Sequence, residues 1–165
     1  MRYILRSSGM NILLGIGNPI RGDDGVGPYI ARTFLHPSWK SIDCGTAPEN
    51  FTSLLRREQP AHLILVDAAD MGLCPGEFRI IPKACIVDLS FSTHGPSLSL
   101  LIKYLSSLLP DVILIGIQPG ETIEGERISP AVIKGAENLK MHLANDEIAQ
   151  ISVYSCTKRN GLHEE

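Results

Sequence analysis

Three short stretches of this 165-residue chain place acids, a histidine and glycines where chemistry is possible. The first, GIGNPIRGDDGVGP at 15–28, carries consecutive acids Asp23 and Asp24 among glycines that permit positive φ and close backbone approach. Capping of a following helix accounts for one acid at such a place, but not for two. The second, VDAADMG at 66–72, puts Asp67 behind an apolar run that starts at Leu63, with Asp70 beyond it. Asp67 is expected to end a strand with its carboxylate emerging at a crevice; a turn cap is the alternative. The third, STHGP at 92–96, holds His94 in a loop directly before a helix. A lone loop histidine is ordinarily a surface residue, and His36, His62, His142 and His163 fall at helix ends, a strand start or the tail. Taken together, two carboxylates and an imidazole make an open site for a divalent ion, with positions left for water or substrate. That mixed oxygen and nitrogen set suits zinc, nickel or another borderline ion better than magnesium.

Alternating strands and helices are needed to bring such distant residues together. Apolar runs at 11–17, 62–67 and 111–117 read as buried strands, with weaker strands at 40–43 and 77–81. Helical patterns cover 28–36, 49–59, 96–108 and 130–144, the last two opening on Pro96 and Ser129-Pro130. This order predicts a three-layer α/β/α sandwich around a twisted, mostly parallel sheet of about five strands. In such sheets ligands bind beyond the carboxyl ends of the strands. That rule selects the positions after Gly17, Val66 and Ile117, and the first two of these carry carboxylates.

Composition narrows the function classes. The chain is 44% hydrophobic and 20% charged, enough apolar material for one core. It reads as a single domain over 1–165, with 1–9 a separable N-terminal appendage (Met10 precedes the first strand) and 156–165 a flexible polar tail. Fifteen Lys+Arg against 18 Asp+Glu, a net charge of −3, argue against nucleic acid, whose affinity rests on phosphate contacts. No apolar run approaches the ~18 residues of a membrane helix, and the N-terminus lacks a signal-peptide core, so a cytoplasmic protein is expected. Cys44, Cys74, Cys85 and Cys156 show no CxxC spacing and are expected as free thiols rather than as a disulfide or zinc framework. A dinucleotide site is disfavoured, because Gly15-Ile16-Gly17 does not continue as G-x-G-x-x-G and two acids stand where a pyrophosphate would lie.

The motifs GIGNPIRGDDGVGP, IDCGTAPEN, LILVDAADMGLCPGEFRII, STHGPSL and LIGIQP, in this order, resemble the nickel–iron hydrogenase maturation endopeptidases and look closest to the formate-hydrogenlyase type. The resemblance spans nearly all of 11–143. It implies an endopeptidase that removes a C-terminal extension from a hydrogenase large-subunit precursor after nickel has been inserted. The implied partner is that nickel-loaded precursor, which carries the nickel; zinc or cadmium fit the same donors. It implies Asp24, Asp67 and His94 as metal-contacting and catalytic residues, and Asp43, Gly45 and Thr46 as substrate-binding ones. Cys44 stands where many relatives have glycine. A monomer is expected.

Two rivals remain at this level. Peptidyl-tRNA hydrolases also open on a strand and a G-x-G-N-P turn, as 15–19 does, but continue with a histidine near an asparagine where this chain has Arg21-Gly22-Asp23-Asp24. A non-enzymatic nickel-binding module shares the Asp/Asp/His set and differs in cleaving nothing.

Overall fold

The apolar runs form the middle layer of a three-layer sandwich. The computed structural model describes residues 9–92, 95–120 and 127–156. Strands β1 (Asn11–Ile16), β2 (Trp39–Gly45), β3 (Leu63–Asp70), β4 (Phe78–Ile81), β5 (Ser90–Phe91) and β6 (Val112–Ile117) alternate with helices α1 (Val26–Thr33), α2 (Thr52–Glu58), α3 (Gly95–Leu108) and α4 (Pro130–Ala144). The sheet order is β2-β1-β3-β6-β4, with β5 paired to β3 off that path. β1, β2, β3 and β6 run parallel; β4 pairs antiparallel with β6, and β5 antiparallel with β3.

Side-chain alternation explains why the central strands lack polar residues. Leu13, Ile64, Val66 and Ile115 face one way and pack with Ile30 of α1 and Val132 and Leu139 of α4. Ile12, Leu14, Leu63 and Leu65 face the other way and pack with Leu55 of α2 and Ile102 and Leu105 of α3. With helices on both faces, a continuous apolar run replaces the alternation of a one-sided sheet.

The sheet agrees with the expected mostly parallel arrangement: among the described residues it has six strands and is mixed at its margins. Two expectations are corrected. β3 does not end at Asp67: Asp67 and Ala68 pair with Gly116 and Ile117, and Ala69 and Asp70 with Phe91 and Ser90, which carries the strand on to Asp70. Lastly, Cys85 and Cys156 form a disulfide rather than standing free. After α4 the chain returns along the β4 edge, where the Ile80 amide donates to Ser152 O (3.0 Å) and the Tyr154 amide to Ile80 O (2.8 Å). This return brings Cys156, expected in the flexible tail, to a Cα–Cα distance of 5.6 Å from a residue 71 positions earlier. Cys44 (buried) and Cys74 (exposed) are free thiols, as expected. Among the described residues, no helix is long and apolar enough to cross a membrane.

Candidate active site

The topology creates a crevice between β1 and β3. The connection through α1 places β2 on one side of β1, and the chain then returns past β1 to place β3 on the other. Ligands bind at such a reversal, beyond the carboxyl ends of the strands. The β1–β3 pairing runs from Ile12↔Leu63 to Gly15↔Val66, so Asp67 is the first β3 residue past it. Asp67 is wholly buried. By alternation it shares the face of Leu63, Leu65 and Ala69, toward α3, and the Ser92 hydroxyl, from the segment that leads into α3, donates to its Oδ1. A carboxylate this deep persists only where hydrogen bonds or an ion compensate for lost hydration.

Asp24 reaches the same edge from the other strand. After β1, Gly17 has φ +152° and its amide donates to Gly45 O (2.8 Å), turning the chain into a 3-10 turn at Gly22–Gly25 that contacts β3. α1 follows at once and lies against the strand ends: a Cβ on Gly27 would sit 2.1 Å from Ile16 O and 2.7 Å from Val66 O, so only glycine allows this approach. Neither acid of the turn acts as a side-chain cap. Asp23, 1% exposed, accepts from the Gly120 amide (2.8 Å), the Ser129 amide (2.7 Å) and the Ser129 hydroxyl (3.0 Å), tying the turn to the chain beyond β6. Asp24 is also buried, with the exposed Arg21 Nε 3.8 Å away. Burial raises its carboxyl pKa above the ordinary value, Arg21 opposes this, and the Asp23 charge adds to it.

The expected substrate residues lie one strand over. Asp43 accepts from Arg32 Nε (2.8 Å) and from the Gly45 amide (3.0 Å), so it braces the end of β2 where the β1–β2 register shifts. Gly45 takes a left-handed φ of +53°, and the exposed Thr46 follows it. Between them and the core, burial and the charges of Asp43 and Glu49 push the Cys44 thiol up to about 12, so it stays protonated and is no nucleophile. His94 lies outside the described residues. Among the described residues, no group of three or more His, Cys, Asp or Glu side chains is gathered to hold an ion.

Gln118 was passed over in the sequence, although it directly follows Ile117 at the third crevice position. Buried, it accepts from the Met71 amide (2.7 Å) and the Leu73 amide (3.2 Å) and donates to Asp70 Oδ1 (3.1 Å), fastening the loop after β3 to the end of β6. Ser92, the first residue of the STHGP motif, likewise carries no signal in the sequence, because its bond to Asp67 forms only in the fold. The edge thus combines two buried carboxylates, one of them with a raised pKa, and a framework of hydrogen bonds that fixes the loops around them.

Comparison with known proteins adds an independent observation. A hydrogenase maturation protease family model matches residues 26–145. The hydrogenase 3 maturation protease of Escherichia coli is 42% identical over 113 residues, 66% of this chain and 72% of that protein. A crystal structure of a hydrogenase 3 maturation protease superposes with a TM-score of 0.82 at 33% identity, covering 91% of this chain and 99% of the other. A nickel–iron hydrogenase maturation protease from Thermococcus kodakarensis gives a TM-score of 0.74 at 29% identity, covering 86% and 94%. None of these similarities favours the tRNA esterase or the metal carrier.

Proposed function

The chain belongs to the hydrogenase maturation protease family, and from that membership we propose that it cuts the C-terminal extension from a nickel-loaded hydrogenase large-subunit precursor. The observation that carries the site assignment is the pair of buried acids at one strand edge, Asp67 just past the β1–β3 pairing and Asp24 on the turn after β1. In this reading Asp24, Asp67 and His94 contact the nickel that the precursor presents, and Asp43, Gly45 and Thr46 bind the polypeptide beside it. The donor set fits: carboxylate oxygens and an imidazole are normal partners of a borderline ion, and the buried acids gain charge compensation when the ion arrives. An empty precursor would present no ion for these ligands to hold and would dock without those bonds, so nickel acts as the recognition signal.

The chemistry is metal-assisted hydrolysis. The ion can polarise the scissile carbonyl or lower the pKa of an attacking water. The water oxygen bonds to the carbonyl carbon, a carboxylate of the pair accepts the water's proton, and the proton passes to the departing amine as the C–N bond breaks. The protonated Cys44 thiol takes no part. In this reading the enzyme is a cytoplasmic monomer.

Intact-mass analysis of a nickel-loaded cognate precursor, beside a nickel-free control, tests the proposal. Loss of a C-terminal peptide in the loaded sample alone is expected. Cleavage of both samples would remove the nickel requirement, and cleavage of neither would reject the activity. A folded His94→Ala protein should show at least ~100-fold slower processing; full activity would reject the ligand set.

A further inference from the structure

Beside the candidate site the surface offers apolar side chains that no described segment covers. α3 buries Leu98, Ile102 and Leu105 toward the sheet, yet Leu100 is 69% exposed and Tyr104 40% exposed. Ser97, Leu100, Leu101 and Tyr104 recur at i, i+3, i+4 and i+7, one face of a helix. Across a cavity of about 690 Å³ they look onto Thr46, Pro48, Glu49 and Thr52, from the turn after β2 and the start of α2.

The position of this groove indicates its occupant. One wall begins at Thr46, next to the Asp43–Gly45 segment that ends β2. The other wall begins within the first turn of α3, whose first residue, Gly95, follows His94 directly. The groove therefore starts at the same carboxyl end of the sheet as Asp67, whose carboxylate accepts from Ser92 just ahead of α3, and runs along that helix. From Ser97 to Tyr104 the helix rises about 10 Å at ~1.5 Å per residue, room for about three residues of extended chain at ~3.3 Å each. The exposed Glu49 on the rim adds negative charge, which favours a basic over an acidic side chain on that chain.

Building on the protease reading above, we propose that this groove binds the precursor residues flanking the scissile bond, seating at least one large apolar side chain among Leu100, Leu101 and Tyr104. The site determines which polypeptide is aligned, and nickel determines when it is cut.

The test compares wild type, Leu100→Asp and Tyr104→Ala on nickel-loaded precursor, with circular dichroism confirming that each variant is folded. Loss of one apolar pocket contact is expected to raise KM roughly tenfold or more, with the loss residing in KM rather than in kcat. A photo-crosslinker in place of Leu100 should label the precursor within a few residues of the cleaved bond. If wild type fails to cut the loaded precursor, the protease reading itself falls. If wild type cuts and both variants match it, the groove is rejected while the protease stands. A fall in kcat alone, or crosslinks confined to distant parts of the precursor, also rejects it. So does a wild-type dimer in light scattering that Leu100→Asp converts to monomer, which would make the face a self-interface.

Discussion

Asp23 accepts hydrogen bonds through both carboxylate oxygens from Gly120 and Ser129, whereas the adjacent Asp24 is buried against a guanidinium 3.8 Å away. Adjacent acids of the same type therefore stand in different surroundings: the first braces the loops, and the second lies beside Arg21 with a raised pKa. Their substitutions should separate accordingly. Asp23→Ala leaves the part-buried amides of Gly120 and Ser129 without their acceptor and should cost roughly 1–2 kcal/mol in urea denaturation. For Asp24 the pKa is raised, chiefly by burial, so the fold favours its protonated form. A raised carboxyl supplies stability that is fully present below its unfolded value and is lost as pH rises through the folded value. At neutral pH the charged Asp24 is thus a cost. Asp24→Asn should raise Tm at pH 7, by ~2–4 °C for each kcal/mol recovered in a domain of this size, and still abolish processing. The Tm gain should shrink as pH falls toward the ordinary carboxylate range. A loss of stability at pH 7 would show instead that the charge is structurally useful.

Elements were more legible than the joints between them. β1, β3 and β6 stand out because helices cover both faces of the sheet, leaving uninterrupted runs such as LILV. The continuation of β3 through Ala69-Asp70 was hidden, because the two-residue β5 that holds it comes from a distant loop with no strand signal of its own. Gln118 was hidden for a related reason: its role depends on the amides of Met71 and Leu73, which only the folded chain brings beside it. The acid pair was readable because the crevice rule depends on strand order alone, while His94 lies outside the described residues. Glycine carries the close contact on which the site's geometry depends. The first turn of α1 rests on the ends of β1 and β3 through Gly27, where an added Cβ would overlap Ile16 O and Val66 O at 2.1 and 2.7 Å. Backbone atoms on both sides cannot give way cheaply, so Gly27→Ala should destabilise by about 3 kcal/mol or more. Any folded fraction should process precursor poorly, because the turn bearing Asp24 moves with α1. A soluble, fully active Gly27→Ala protein would show that the helix can lift without disturbing the site.

Taken whole, the molecule is a largely parallel core onto which the last described segment is stitched back. The strands bearing the acids pair within the sheet, while 151–156 rests on the β4 edge through the Ile80 and Tyr154 amides and the Cys85–Cys156 disulfide. Cys85 belongs to the 3-10 segment Lys83–Asp88, which packs against α3 and leads through β5 to Ser92 and its bond to Asp67. The crosslink closes a loop that contains α3, β6 and α4, so it restricts the unfolded chain over much of the molecule; such bridges are worth roughly 2–4 kcal/mol. Cys156→Ser should lower stability by about that amount under oxidising conditions. Reductant should bring wild type down to the variant's level and leave the variant unaffected. Hydrogen exchange should then quicken first at the amides of Ile80 and Tyr154 and across Lys83–Asp88, while β1, β3 and β6 keep their protection, because their pairing does not depend on the returning segment. Uniform loss of protection would mean that the crosslink acts on global unfolding alone. Faster exchange that stops short of the central strands would mean that reduction frees a peripheral unit connected to Asp67 through Ser92, and processing measured with and without reductant would then reveal whether that connection matters to the cut.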